Sequence, residues 1–353
     1  MKCLPYNLQI TVNQHFVPSH FLSAWCSGDM LWVSNKGFKL FQQKPENVAK
    51  SKRLYSSEYM TADEFISCFS GISAIGARIN PDLFKIIMDG MVFNLLGKEI
   101  ISGLLSLDDF NRIVSFIEEK NLCSDLEVSL LRLLWTIYEN GHVPDEIKYF
   151  CEKQFVEGIE PFATRVEQIG YPLIEKLRCG EASFLDDVEI REAFFLYIAL
   201  QMFRIRKFTD AAAYYEHINI KTLKLSRILL VARTLDFLMS TWEGVAFCIV
   251  NNTTDLEFIT GDNPICNLDA HNRSRFLDLY FPISPNKAVF MCNKDRASLY
   301  PEMRQMTIQY VHELNRNVAA GCAYQVFAKS KDTLQFGGYR PSFDPKVAAL
   351  GRE

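Results

Sequence analysis

The period of the apolar residues changes twice along the chain, and this change restricts the fold more than any other feature. Up to about residue 60 the apolar residues alternate or form short runs, as in LQITVNQ, DMLWVSN and GFKLFQQ, and the last two runs flank Lys36-Gly37. Alternation is typical of strands, and a glycine between two such runs favours a hairpin turn. We therefore predict N-terminal strands that include a hairpin.

From Thr61 to about Trp242 the apolar residues recur at intervals of three and four, which predicts helices. Thr61 and Glu64 have the spacing of a capping box at the start of the first helix. After Trp242 the runs GVAFCIVNN, LEFITG, RFLDLYFPIS and KAVFMCN return to strand-like patterns. A last helix is predicted from Pro301 to about Gly321, and CAYQVFAKS is predicted to form one further strand.

These regions predict an α+β fold, in which a mixed or antiparallel sheet from the N- and C-terminal segments accompanies a large helical middle region. We expect a single domain over residues 1–335, with strands in 1–60, helices in 61–242 and a sheet and helix in 243–335, followed by a tail at 336–353. A hydrophobic fraction of 48% among 353 residues supplies an ample core.

Charge and cysteine content argue against several classes of protein. The net charge of −4 does not suit a protein that covers nucleic acid with a global positive field. No apolar run reaches the roughly 18 to 20 residues of a membrane span, and the start lacks the apolar core of a signal peptide, so we expect a cytoplasmic protein without a membrane partner. The 10 cysteines include no C-x-x-C pair, which predicts reduced, mostly buried thiols rather than a zinc ribbon.

Common catalytic motifs are absent: the sequence has no P-loop, dinucleotide fingerprint, serine hydrolase elbow or H-E-x-x-H pair. Two histidines stand close together in NQHFVPSHFLSAWC, where Pro18 disfavours a continuous helix between His15 and His20. A histidine at a strand end is a candidate general base or metal ligand, because its ordinary pKa lies near the working pH. The alternative is a buried histidine bonded to a backbone carbonyl.

A second candidate is EAFFLYIALQMFRIRKF, in which helical spacing places Gln201, Arg204 and Phe208 on one side. Arg206 and Lys207 add positive charge near its end. An arginine fork on an otherwise apolar helix suits a phosphate or a carboxylate. The alternative is an arginine bonded to a glutamate or to helix C-terminal carbonyls.

A third candidate is FITGDNP, where an apolar strand delivers Asp262 and Asn263 to a turn at Pro264. The acid is a candidate general base or metal ligand on a rigid scaffold, and the alternative is an Asx turn that closes a corner.

A fourth candidate is the segment EPFATRVEQIGYPLIEKLRCGE, in which Glu160 and Glu167 flank Arg165. This segment is predicted to be helical up to Tyr171-Pro172, because proline removes a helical hydrogen bond. Charges on such a helix are usually solvated, which is the alternative to a functional role.

In their order along the chain, these motifs resemble the bacterial domain-of-unknown-function family 4238. The family pattern is H-[HFY]-V-P-x-x-[FY]-L, a Q-x-x-R helix, [TS]-S-D-N-P, F-P-[LI]-S-P and a late L-N pair, which correspond to residues 15–22, 201–204, 260–264, 281–285 and 314–315. The resemblance extends from about Asn13 to about Ser330. This chain departs from the pattern at Gly261, where the family generally has serine, so a serine hydroxyl is not required there.

The resemblance implies a single-gene anti-phage defence protein that acts as an abortive-infection effector. Because the side-chain types of the motifs suit metal-assisted hydrolysis, our hypothesis for its activity is a nuclease-like or other phosphate-directed hydrolase. The residues assigned by this hypothesis are His15, Asp262 and Glu167 in catalysis, and Gln201, Arg204 and Asn263 in phosphate binding. A divalent metal is a candidate cofactor, with His15 and Asp262 as its ligands. The candidate partners are a phage-derived trigger and a nucleic acid or nucleotide. The alternative is a non-catalytic sensor or binding module that recognises a phage component.

Overall fold

The computed structural model describes residues 13–37, 39–52, 54, 59–76, 88, 91–205, 220–269, 277–300 and 305–342. In chain order the strands are β1 Asn13–His15, β2 Leu31–Asn35, β3 Leu40–Gln43, β4 Lys50–Lys52, β5 Val245–Asn251, β6 Thr260–Gly261, β7 Cys266–Asn267, β8 Leu279–Ser284, β9 Lys287–Asn293 and β10 Gln325–Ala328. The α-helices are α1 Ser19–Leu22, α2 Ala62–Gly76, α3 Met91–Ile101, α4 Leu107–Glu119, α5 Asp125–Glu139, α6 Asp145–Glu157, α7 Glu160–Cys179, α8 Val188–Phe203, α9 Ile220–Thr241, α10 Ile308–Gly321 and α11 Lys331–Gly337. Helices and antiparallel strands confirm the α+β prediction.

The chain divides into two compact units. The first unit contains Met1–Gln14, Ser51–Thr164 and Lys221–Leu229, and the second contains His15–Lys50, Arg165–Ile220 and Leu230–Glu353.

The first unit is helical. In it, α3 packs against α5 and α6, and α2 packs against α4. The predicted capping box begins α2: the Glu64 N–H donates to Thr61 Oγ1 at 3.2 Å, and the Thr61 N–H donates to Glu64 Oε2 at 2.9 Å. None of the helices in the described ranges is both long and apolar enough to cross a membrane.

The second unit contains two antiparallel sheets. The predicted hairpin of β2 and β3 joins β10 and β6 in the order β3-β2-β10-β6, so strands from both ends of the chain share one sheet. The other sheet, in the order β5-β9-β8-β7, comes entirely from the C-terminal part. Helix α10 packs on β6 and β7, and its Val311 and Leu314 enter a core that includes Phe258, Tyr280 and Val326.

Two helix boundaries differ from the prediction. The last long helix begins at Ile308 rather than Pro301, because Thr307 caps it by accepting a hydrogen bond from Tyr310 N–H at 3.2 Å, and residues 301–304 lie outside the described ranges. Helix α7 does not stop at Pro172 but continues to Cys179, since a proline inside a helix removes only one donor.

The strand prediction for LEFITG is also too long. Only Thr260 and Gly261 pair with a neighbouring strand. The two preceding residues bond elsewhere: the Phe258 N–H donates to the carbonyl of Pro285 at 2.7 Å, and the Ile259 N–H donates to Asn315 Oδ1 at 3.1 Å. Of the predicted strand RFLDLYFPIS, Leu279–Ser284 forms β8, and residues 270–276 lie outside the described ranges.

Candidate functional site

The H-F-V-P motif lies in an extended segment between β1 and α1. β1 ends at His15, and Pro18, with φ −60° and ψ 135°, immediately precedes α1. The Phe16 N–H donates to the carbonyl of Ala49 at 2.9 Å. Ala49 has φ +49°, a left-handed conformation that costs a residue with a side chain about 1–2 kcal/mol. The motif is therefore fixed by a backbone position that is itself strained.

The ring of His15 is neutral at pH 7. Burial lowers its pKa, and the positive charges of Arg204 and Lys50 lower it further. The ring also has a hydrogen bond to the backbone of Val48. This is the arrangement expected of the alternative, a buried histidine bonded to the backbone. A neutral imidazole can still accept a proton or bind a metal ion, so this geometry is compatible with both hypotheses.

The second histidine of the motif faces α7. Burial lowers the pKa of His20 to about 4, and its ring meets that of Tyr171 edge-on with centroids 4.3 Å apart. Further along α7, Arg178 donates to the carbonyl of Phe21 at 3.0 Å. The motif segment thus contacts α7 on both sides of Pro172, and this face of the helix is not simply solvated.

Arg204 connects the motif to α7. Its guanidinium forms an ion pair with Glu167 and donates to the carbonyl of His15. The Arg204 side chain is only 1% exposed, and burying such a charge is tolerated because both acceptors compensate it. The structure therefore brings His15, Glu167 and Arg204 into contact. An arginine bonded to a glutamate is the arrangement that we gave as the alternative to phosphate binding.

The Q-x-x-R helix is shorter than predicted. α8 ends at Phe203, and Arg204 is its C-terminal cap, where a positive charge complements the helix dipole. The prediction of a continuous helix through Gln201, Arg204 and Phe208 is therefore wrong. Phe208, like Arg206 and Lys207, lies outside the described residues.

Buried polar groups line the inner face of α8. Gln201 is 1% exposed, and Tyr197, one turn earlier, is fully buried. Among the described residues, neither amide atom of Gln201, nor the Tyr197 hydroxyl, nor Nε2 of His20 has a hydrogen-bond partner. Because an unsatisfied buried polar group costs about 1–3 kcal/mol, these atoms are candidates for contact with a polar ligand.

A glycine allows α7 and α8 to approach each other at this face. A Cβ on Gly170 would meet the ring of Tyr197 and lie 2.7 Å from its Cβ. Glycine inside a helix usually costs about 1 kcal/mol relative to alanine. Close packing against Tyr197 is the physical reason for glycine at this position.

Asp262 holds the turn between α10 and β10. Its Oδ1 accepts from Ala323 N–H at 2.9 Å, and its Oδ2 accepts from the N–H groups of Tyr324 and Gln325 at 2.5 and 3.0 Å. Burial raises the pKa of Asp262 to about 6, against the opposing effect of these donors. Three backbone donors leave the carboxylate little capacity for a metal ion. This geometry agrees with the alternative in which Asp262 closes a corner of the chain.

Two asparagines support the same region. Asn263 Nδ2 donates to the carbonyl of Gly321 at 3.2 Å. The amide of Asn315 accepts from Ile259 N–H at 3.1 Å and donates to the carbonyl of Glu257 at 2.9 Å. Sequence reasoning assigned no role to Asn315, although the L-N pair of the family pattern marked its position.

Gln325 links the two motifs through its backbone N–H and its side-chain amide oxygen. Its N–H donates to Asp262, and its Oε1 accepts from Ala49 N–H at 2.9 Å. The Ala49 carbonyl in turn holds Phe16, the neighbour of His15. The D-N-P turn and the H-F-V-P segment are therefore joined by backbone hydrogen bonds rather than by a shared set of catalytic side chains.

The predicted site residues fall into two groups. One group is the cluster of His15, Glu167 and Arg204, with Gln201 one turn earlier on α8, and the other is the pair Asp262 and Asn263 at the α10–β10 turn. Within the described ranges, no three His, Cys, Asp or Glu side chains are grouped so that they could hold a metal ion. A metal bound by His15 or Asp262 stays a prediction.

Comparison with known proteins gives one match. Neither the curated proteins nor the solved structures contain a match to this chain. Residues 224–332 match the model of a family described as a protein of unknown function (DUF4238), and this segment includes the D-N-P, F-P-I-S-P and L-N motifs. The H-F-V-P and Q-x-x-R motifs lie outside the matched residues. Over residues 224–332, the resemblance to this family of unknown function is therefore confirmed.

Proposed function

We propose that this protein is an anti-phage defence effector, and that the cluster of His15, Glu167, Gln201 and Arg204 is its active site for a phosphate-bearing substrate. The resemblance to family 4238 supports the biological role. The observation that carries the chemical part is the Gln201 amide, which is buried and has neither of its polar atoms bonded to a described residue. Such an amide is costly in a structural role and useful beside a polar ligand.

Each residue of the cluster has a distinct role in this proposal. The neutral His15 ring takes a proton from water, the water oxygen attacks phosphorus, and the P–O bond to the leaving group breaks. The imidazolium then returns a proton to the leaving oxygen. Gln201 bonds to the substrate, and Arg204, which Glu167 and the His15 carbonyl engage, positions the segment that carries His15.

Asp262 and Asn263 enter the proposal as positioning residues. They hold the turn whose Gln325 fixes Ala49 and, through it, the segment that carries His15. Asp262→Ala would remove the acceptor of three backbone N–H groups, so loss of defence in that variant would not separate catalysis from folding. A discriminating substitution must leave the fold intact.

Gln201→Met provides that test. Methionine has a similar length and no polar atoms, so the variant is expected to fold with equal or greater stability. We expect it to lose phage protection, measured as plaquing efficiency at equal protein level, while its melting temperature stays at or above that of wild type. Gln335→Met, the same substitution at an exposed position of α11, is the matched control and is expected to retain protection.

The same infected cells report the substrate class. RNA, DNA and nucleotide pools are compared between wild type and Gln201→Met. Nucleic acid that is clipped only with wild type identifies a nuclease, and nucleotide depletion with intact nucleic acid identifies a nucleotide hydrolase. Full protection by Gln201→Met would refute the proposed site.

A second candidate function is a non-catalytic sensor of a phage component. It is favoured by the hydrogen bonds that the Asp262, Asn263 and Asn315 side chains form with backbone groups. The sensor hypothesis expects protection to be lost in Gln201→Met with no change in RNA, DNA or nucleotides in the wild-type cells.

A further inference from the structure

A cavity of about 320 Å³ opens next to the H-F-V-P segment in the second unit. Its apolar wall comes from Phe16 and Tyr324, and Asn35, Lys36 and Lys50 supply polar groups. The volume lies at the lower end of the roughly 300–1,000 Å³ typical of small-molecule sites. Aromatic walls with a few polar groups are the usual composition of such sites.

The two lysines give the cavity a positive charge. Lys50 Nζ donates to the carbonyl of Glu46 at 3.0 Å and to Asn47 Oδ1 at 3.3 Å, so neutral acceptors fix its position without cancelling its charge. Within the described part of the chain, neither Lys36 nor Lys50 forms an ion pair with a carboxylate. An anionic ligand would not have to displace an existing ion pair.

The walls of the cavity are held by the sheet. Lys36 N–H donates to the carbonyl of Tyr324 at 3.1 Å, which ties the β2–β3 hairpin to the start of β10. Asp262 accepts hydrogen bonds from the N–H groups of Tyr324 and Gln325, two residues that line the cavity. Its negative charge is compensated by three backbone donors. The cavity is preformed, which reduces the entropy cost of binding.

We propose that this cavity binds a small phosphorylated ligand that carries a flat ring, with nucleoside monophosphates as its chemical class. The ring packs on Tyr324, which is only partly buried and whose ring face accepts any planar base. The phosphate group lies between the ammonium groups of Lys36 and Lys50 and forms charge-assisted hydrogen bonds. This site does not include Gln201 or Arg204, although it borders the proposed active site, because Phe16 follows His15 in the chain and Lys50 lowers the pKa of His15.

Isothermal titration calorimetry on the purified full chain tests the proposal. The probes are AMP, GMP, CMP and UMP, with adenosine and inorganic phosphate as the separated halves of AMP. At least one monophosphate is expected to bind wild type more tightly than either half. Lys36→Gln and Lys50→Gln are each expected to weaken this binding at least tenfold, and Tyr324→Leu is expected to weaken the monophosphate and adenosine but not inorganic phosphate.

Lys39→Gln is the matched control, because Lys39 is exposed on the same hairpin and does not line the cavity. It is expected to bind as wild type does, and melting temperatures confirm that all variants fold. Absence of binding by all four monophosphates, or equal binding by the two lysine variants and wild type, would overturn the proposal. Phosphate binding as tight as monophosphate binding would overturn the assignment of a ring-bearing ligand. Because the assay uses purified protein, its outcome is independent of the Gln201→Met phenotype.

Discussion

The most informative stability experiment concerns Gly261, where the resemblance leads one to expect serine. A Cβ at this position would meet Cys322 Sγ and would lie 2.9 Å from the carbonyl oxygen of Gln325. Cys322 is fully buried, and Gln325 is held in β10 by its pairing with β2. Neither neighbour can move away freely, so the serine of the family pattern does not fit this chain as it stands.

The magnitude follows from the cost of overpacking. Extra atoms forced into a well-packed core typically cost about 1–3 kcal/mol of stability. Because the Gln325 carbonyl is rigid, we expect Gly261→Ser to lower the free energy of unfolding by about 2–3 kcal/mol. Cys322→Ala alone should cost about 1 kcal/mol, because it removes a buried sulfur and a hydrogen bond to Asp262. The double variant removes the sulfur that meets the new Cβ, so its cost should be smaller than the sum by about 1 kcal/mol or more.

Urea unfolding of the four proteins measures this coupling. Trp25 reports on the region, since its Nε1 donates to the carbonyl of Phe258 at 2.9 Å in the segment that leads to Gly261. The same unfolding curves followed by circular dichroism check that both probes report one transition. Additive costs, or a Gly261→Ser variant as stable as wild type, would refute the packing argument.

Substitutions at three further positions probe the site by stability. Ala49→Val should lower the free energy of unfolding by more than about 2 kcal/mol, because a β-branched residue does not tolerate φ +49°, whereas Ala49→Gly should change it by less than about 1 kcal/mol. Gly170→Ala should destabilise by about 1–3 kcal/mol in thermal and urea unfolding through its clash with Tyr197, opposite in sign to the gain that helix propensity alone predicts. The pKa of Asp262 is raised to about 6 from its ordinary 3.8. Its contribution to the free energy of unfolding is therefore fully present below pH 3.8 and is lost as the pH rises through 6. Relative to Asp262→Asn, wild type should therefore gain about 1.4 kcal/mol between pH 7 and 5, and parallel pH profiles would contradict this.

The fold was predictable from the sequence because its main signals are local. The capping box at Thr61, the hairpin at Lys36-Gly37 and the strand patterns after Trp242 each depend on residues close in sequence. The same locality explains the wrong boundaries. The end of α8 at Arg204 depends on its contacts with Glu167 and the His15 carbonyl, which are distant in sequence, whereas the start of α10 at Thr307 is a local cap that the prediction missed.

The candidate site was predictable in its residues but not in its contacts. The motifs named His15, Glu167, Gln201 and Arg204, and the structure brings three of them together. The Arg204 guanidinium contacts Glu167 and the His15 carbonyl because α7 packs against α8. This packing in turn requires Gly170, whose small size carries no chemical signal in a single sequence.

Ala49 and Gln325 show a second limit of sequence reasoning, because they connect two motifs without belonging to either. Ala49 has no polar side chain, and its role rests on its backbone N–H and carbonyl. Gln325 acts through one amide oxygen and one backbone N–H. Since these atoms connect the D-N-P turn to the H-F-V-P segment, we expect changes at the turn to displace His15 rather than to remove a reacting group. Variants that alter the turn therefore test how His15 is positioned. Variants at Gln201 and at the two cavity lysines test ligand binding.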